Sequence, residues 1–338
     1  MIKQPIFFER NRVFRVYLGG KLFHDFFGDA PEDGNLPEEW IASGVRALNK
    51  VQSSEHEGVS KPVGTDLYFD ELLGRYPTEL LGSKGKLRIL VKVLDSAIRL
   101  PAQAHPDRAF SRAYFNSEYG KTESWLILGT RPGAKLFFGF RDGVDEEAFR
   151  AAIEASEYDK DAMQELMCHF EPQVGEMYLV PAKTVHAIGA GCLILEIQEP
   201  TDFTVQPERY CGDYRLSEHE MYLGLNKEDA IKCFSFDKAP DAKCDPVTTF
   251  VDSSVKIEGL IGPDKTDCFV INRITLTGGS YIPSIPDSYG IYIVCEGEGT
   301  IRAEGYEKAI RKGDYFFMGA CAMNQYQIEG NVTLIECY

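Results

Sequence analysis

The 338-residue sequence predicts a mainly β fold with α insertions, arranged as two small β-barrels plus a small helical part. Three observations predict it. From Thr248 to the end the chain is almost all short strands separated by Gly and Pro turns. Before that, short apolar runs alternate with two stretches of helical periodicity. Finally, Gly175–His186 and Gly313–Asn324 can be set one above the other: Gly on Gly, Glu176 on Asp314, an apolar run matching position by position, Pro181 on Gly319.

In chain order, Leu36–Gly44 (LPEEWIASG) reads as an edge strand capped by a turn, with one wall of a pocket as the alternative. Residues 66–82 read as one or two short helices capped by Asp66 and stopped by Gly82. Ile89–Leu94 is a buried strand in which Lys92 is the one charge. A lysine there is costly without a partner or a polar pocket, and the pocket is favoured. Ser124–Gly129 and Ala134–Phe140 read as a strand pair joined at Thr130-Arg131-Pro132-Gly133. Residues 145–170 turn helical, with acids in the first turn where the helix dipole favours them. Strands resume at Met177–Val180 and Cys192–Ile197. A mixed region from Pro207 to Asp245, with a short amphipathic piece at Lys227–Phe234, separates an expected domain 1–240 (insertions at about 66–82 and 145–170) from a domain 241–338.

Composition narrows the function. A formal net charge of −16 opposes any general affinity for nucleic acid or an anionic membrane surface. Nine scattered cysteines without a CxxC pair read as reduced thiols of a cytoplasmic protein. The N-terminus lacks an apolar signal-peptide core, and no apolar run reaches membrane-spanning length.

The chemistry gathers in Leu100–Trp125 (LPAQAHPDRAFSRAYFNSEYGKTESW) and in Gly175–Ile188 (GEMYLVPAKTVHAI). Gln103 and His105 are two apart, so on an extended strand they leave from one face. With Glu123 and His186 they give two imidazoles, a carboxylate and an amide oxygen. That set suits zinc first, and iron, nickel or manganese less well. A hydrogen-bonded core role is the ordinary reading of either histidine alone; the four together favour a metal. The second barrel has no histidine, since none follows His219.

The pattern G-[DE]-x5-P-x4-H resembles the second motif of the cupins, double-stranded β-helix (jelly-roll) barrels. The chain thus reads as two cupin barrels, the first armed with metal ligands and the second not. More specifically, QAHPD with GKTESW, together with LVKVLDSAIRLP, VPAKTVHAIGAG and the Leu195–Asp202 strand end, resembles the type I mannose-6-phosphate isomerases in their shorter bacterial form. The resemblance covers most of the chain. It implies one Zn2+ per chain on Gln103, His105, Glu123 and His186, and an aldose–ketose isomerisation through a cis-enediol.

The resemblance also suggests residues beside the substrate. Lys121 and Glu196 are the expected proton-handling pair, with Arg209 as a possible charge partner; Lys92, Asp202 and Gln206 are expected to touch the sugar. A solvated turn residue is the alternative for Lys121, a buried acid paired with Lys92 for Glu196, and a surface ion pair for Arg209. The family pattern departs at two places. Pro101 stands where the family has a phosphate-binding serine, and Gln206 where it has an arginine. A lost charge-assisted contact to phosphate costs about 1.5–3 kcal/mol. The expected partner is therefore a sugar or sugar phosphate, with the protein a monomer or homodimer. The alternatives are an isomerase of an unphosphorylated or different sugar, and a non-catalytic metal-holding cupin that binds carbohydrate.

Overall fold

The computed structural model describes residues 2–52 and 54–338. The first half of the chain forms strands β1 (Ile6–Phe7), β2 (Arg12–Val13), β3 (Glu38–Ile41), β4 (Leu90–Ser96), β5 (Glu123–Thr130), β6 (Leu136–Phe140), β7 (Met167–Phe170), β8 (Met177–Val180), β9 (His186–Ile188) and β10 (Cys192–Gln198). The second half adds β11 (Tyr210–Cys211), β12 (Tyr214–Arg215), β13 (Lys243–Cys244), β14 (Val247–Val251), β15 (Val255–Ile261), β16 (Ile271–Tyr281), β17 (Gly290–Ala303), β18 (Tyr306–Arg311), β19 (Tyr315–Met318) and β20 (Gln327–Cys337).

One sheet runs β13-β8-β5-β10-β4-β3-β2, and another runs β1-β19-β17-β20-β16-β15-β14 with β18 on β17. The two orders correspond strand for strand, which carries the sequence repeat into three dimensions. Gly175 and Gly313 both take a left-handed turn, at φ 90° and 87°. Each donates to the strand beside it, Gly175 N to Ile127 O at 2.8 Å and Gly313 N to Val294 O at 2.9 Å. Return bonds run from Ile127 N to Glu176 O and from Val294 N to Asp314 O. The fold is the expected mainly β one, although in neither half do the ladders close into a complete barrel.

Side-chain alternation explains how the halves pack and how the site is aimed. Val91 and Val93 of β4 and Leu193, Leu195 and Ile197 of β10 share one apolar core with Ile291, Ile293, Phe317 and Ile335 of the other sheet. The intervening residues point the opposite way. The register therefore lays Trp40, Lys92, Glu196, Trp125 and Tyr178 in one row across β3, β4, β10, β5 and β8.

Several expectations are corrected. The 36–44 segment is not at the edge: β3 pairs with β4 on one side and β2 on the other. The expected strand pair β5 and β6 is not a pair, because β5 joins β10 and β8 while β6 joins β7 and β9. The 130–135 turn crosses from one sheet to another, and Arg131 holds it there through Asp33 at 2.7 Å and Asp95 at 2.6 Å. Residues 66–82 hold helices α1 (Phe69–Arg75) and α2 (Pro77–Leu81), with Tyr68 rather than Asp66 at the N-cap. The 145–170 stretch is helical only at α3 (Glu146–Ala155), capped by Asp145, and ends as β7. Strand membership also crosses the boundary expected near residue 240. β1 borders the C-terminal sheet, and β13 borders the N-terminal one. All nine cysteines are free thiols. Among the described residues no helix is long and apolar enough to cross a membrane.

Candidate metal centre and cavity

The sheet brings three expected ligands to one point. His186 opens β9, Glu123 opens β5, and His105 follows the isolated bridge that pairs Gln103 with His186. That bridge is reciprocal, Gln103 N to His186 O and His186 N to Gln103 O, each at 2.9 Å. His105 Nε2 lies 2.9 Å from Glu123 Oε2, His186 Nε2 lies 3.4 Å from Glu123 Oε1, and the two Nε2 atoms are 3.1 Å apart.

These contacts suit a shared cation. His105 Nδ1 sits 2.9 Å from Phe203 O and His186 Nδ1 sits 2.9 Å from Thr184 O. A carbonyl can only accept, so each Nδ1 carries the proton and each Nε2 presents a lone pair to the other ligands. Glu123 Oε2 is fully buried without a hydrogen bond of good geometry, despite the nearby imidazole and Lys121 Nζ at 2.9 Å. Ligands about 2.0–2.1 Å from one tetrahedral ion stand roughly 3.3 Å apart, close to the separations here. Trp125 Nε1 donates to Glu123 Oε1 at 3.0 Å and fixes the carboxylate. Gln103 is buried and lines a cavity beside this group.

Electrostatics favour the ligand-competent forms. Burial, and then Lys121, push His105 down to about 3. Burial likewise lowers His186. For Glu123, burial works upward but is outweighed by Lys121 and the imidazoles, which hold it well below the usual carboxylate range. Neutral imidazoles beside a carboxylate are what a divalent ion binds.

The cavity encloses about 780 Å³. Lys92, Lys121, Glu196, Asp202 and Gln206 all line it, as does Pro101. Lys121 is buried, not a solvated turn residue, and donates to His105 Nε2 at 2.8 Å. Lys92 does both things weighed for it: it reaches the cavity and stands 3.3 Å from Glu196 and 3.7 Å from Asp202. Burial and repulsion from Glu123 raise Glu196 to about 7, against the pull of Lys92 and Lys121. Glu196 Oε1 accepts no hydrogen bond.

Arg209 is the exception. It does not line the cavity; its guanidinium lies 3.8 Å from Glu154 and 3.7 Å from Glu157, beside α3. Arg209 thus stands in the ion pair weighed for it and not among the residues that line the cavity.

Sequence reasoning missed Arg15 and Glu38. Arg15 grips Asp202 at 2.9 and 3.1 Å and Glu38 at 2.9 Å, while Tyr17 and Trp40 both donate to Glu38 at 2.7 Å. Burial works to raise Glu38, but Arg15 and Lys92 prevail and lower it to about 2. An unfolded glutamate titrates near 4.5. Glu38 therefore stabilises the fold above that pH, by roughly 3 kcal/mol, and the gain drains away as pH falls toward 2. Urea midpoints measured from pH 6 to 3 are expected to fall more steeply for the native protein than for Glu38→Gln; parallel curves would refute the assignment.

No protein-family profile matches the chain. Comparison with curated proteins finds 26% identity to the mannose-6-phosphate isomerase of Streptococcus mutans, covering 99% of this chain and 98% of that protein. Identity is also 26% to mannose-6-phosphate isomerase ManA of Bacillus subtilis, over 99% of both chains. Among solved structures, the mannose 6-phosphate isomerase from Bacillus subtilis superposes with a TM-score of 0.79 at 24% identity, over 99% of both chains. A variant of phosphomannose isomerase from Salmonella typhimurium superposes with a TM-score of 0.74 at 17% identity, again over 99% of both chains. Along its whole length the chain is thus similar in sequence to curated mannose-6-phosphate isomerases of Streptococcus mutans and Bacillus subtilis, and it shares the fold of the solved isomerase structures.

Proposed function

We propose that the protein is a zinc-dependent aldose–ketose isomerase that interconverts mannose 6-phosphate and fructose 6-phosphate through a cis-enediol. The observation that carries this reading is the convergence of His105, Glu123 and His186 in one buried group, which Lys121 touches from a cavity that Gln103 and Glu196 also line. Gln103 is the proposed fourth ligand. These four residues would hold a zinc ion, which when bound would supply Lewis-acid polarisation of the sugar carbonyl.

The chain's own residues do the rest. Lys121 and Glu196 are the proposed groups that move a proton between C1 and C2, with the Lys92 ammonium 3.3 Å from the carboxylate's Oε1. Lys92, held between Glu196 and Asp202, orients both carboxylates toward the cavity. Trp40 and Trp125, both fully buried, keep this wall dry, which strengthens every charge interaction on it. Nine free thiols suit a reducing cytoplasm.

A second reading, an isomerase of unphosphorylated sugars, is favoured by Pro101 and Gln206, which line the cavity without contributing charge. Turnover of mannose 6-phosphate by zinc-loaded protein, abolished by chelator and restored by zinc, is the expected result. Turnover of mannose but not of its 6-phosphate would favour the second reading. Zinc-bound protein inert toward both would leave a carbohydrate-binding cupin.

A further inference from the structure

A sugar phosphate entering a chain of net charge −16 needs a local cation at its anionic end. Among the described residues, four lysines and arginines line the cavity: Arg15, Lys50, Lys92 and Lys121. Three are already committed. Arg15 is divided between Asp202 and Glu38, Lys92 between Glu196 and Asp202, and Lys121 sits 2.9 Å from Glu123. All three are nearly or wholly inaccessible, on the cavity's inner wall. Lys50 differs on both counts. Its side chain is 57% exposed, and its ion-pair neighbour, Glu220, is 3.9 Å away.

That neighbour is loosely coupled to it. Glu220 is engaged at the start of α4 (Glu218–Tyr222), where Oε2 accepts from Ser217 N at 2.8 Å and Oε1 accepts from Tyr214 OH at 2.8 Å. An exposed pair at such a distance contributes little, so a better anion can displace it. Lys50 is nonetheless held in place through the two residues before it. Leu48 N donates to Asp202 at 2.8 Å, and Asn49 accepts from Arg15 at 2.9 Å and donates to Phe14 O at 3.0 Å. The residues that order the inner wall thus also anchor the loop that presents Lys50 at the mouth.

We propose that Lys50 is the specificity-determining cation that receives the substrate's phosphate, exchanging its distant contact with Glu220 for the ligand. This assignment rests on the phosphorylated-sugar reading above. It supplies, from the same cavity lining, the charge that the glutamine at position 206 does not.

The test compares the zinc-loaded native protein with Lys50→Gln and Lys50→Arg. Steady-state kinetics on mannose 6-phosphate and calorimetric titration with mannose 6-phosphate and with inorganic phosphate are the readouts. Loss of one charge-assisted contact corresponds to about a tenfold change or more. Lys50→Gln is expected to raise KM and both dissociation constants by that factor with kcat little altered, and Lys50→Arg to recover most of the loss. The difference between native and Lys50→Gln protein should shrink as salt rises. Values for Lys50→Gln within twofold of native, or a fall in kcat with KM unchanged, would overturn the proposal. Native protein that binds mannose 6-phosphate without turning it over would defeat the proposed reaction, yet the titrations would still decide the role of Lys50. No phosphate binding by native protein would defeat the inference itself.

Discussion

Replacing Glu123 with glutamine is expected to reduce isomerisation by about a thousandfold or more and to leave the purified protein short of zinc. The substitution keeps the shape of the side chain and an oxygen for Trp125 Nε1 to bond, so the fold should survive. What disappears is the negative charge among His105, His186 and Lys121. Two neutral imidazoles and an amide hold a dication far less firmly, and a Lewis acid contributes several kcal/mol to the barrier. Metal content by elemental analysis and turnover with added zinc give two readouts. Stoichiometric zinc and undiminished activity in Glu123→Gln would remove Glu123 from the ligand set.

The second large effect concerns stability. Lys92→Met is expected to cost about 3–5 kcal/mol, because it leaves Glu196 and Asp202 buried beside a neutral side chain. Methionine fills much of the same volume, so lost packing is a small part of that cost. In a chain of this size the unfolding temperature should drop on the order of 10 °C. Pairing Lys92→Met with Glu196→Gln should restore part of the loss, since one orphaned charge is then removed as well. A single variant as stable as the native protein would show that the Lys92 cluster contributes nothing to the fold. The double variant, even if stable, should remain inactive in the proposed isomerisation.

The ligand types were legible in the sequence because each lies in a short run with its own spacing, QAH, KTE and VPAKTVH. The two-residue alternation of Lys92 and Glu196 within apolar strands likewise announced that both faced something polar. The charge cluster around Arg15 was not legible: Asp202 was expected beside the sugar, but Arg15 is 187 positions away from it and no local spacing links the two. The helix Arg108–Phe115 was missed although its cap was visible: Asp107 follows Pro106 and accepts from Phe110 N at 2.7 Å. The β5–β6 pairing was misread because a tight Pro-Gly turn between two apolar runs suggests a hairpin, and nothing local shows the chain changing sheets. The partners of Arg209 were hidden for a similar reason: Glu154, on α3, and Glu157, just beyond its end, lie some fifty residues earlier. The strands β1 and β13, two residues each, are too short to leave any periodicity.

Those two strands have a consequence for how the molecule can be divided. Ile6 and Phe7, at the start of the chain, cover the open edge of β19, while Lys243 and Cys244 cover the matching edge of β8. Each half wears its border on loan from the other. On the reverse face of β3, Tyr315 of β19 hydrogen-bonds the buried Glu39 carboxylate, one position from the Glu38 that grips Arg15. A recombinant fragment cut just before β13, near residue 240, would return both loans at once, baring a strand edge and a shared apolar layer in each piece. The C-terminal repeat is therefore no detachable appendage: the half that carries the His105, Glu123 and His186 group inherits its outer wall from its sibling.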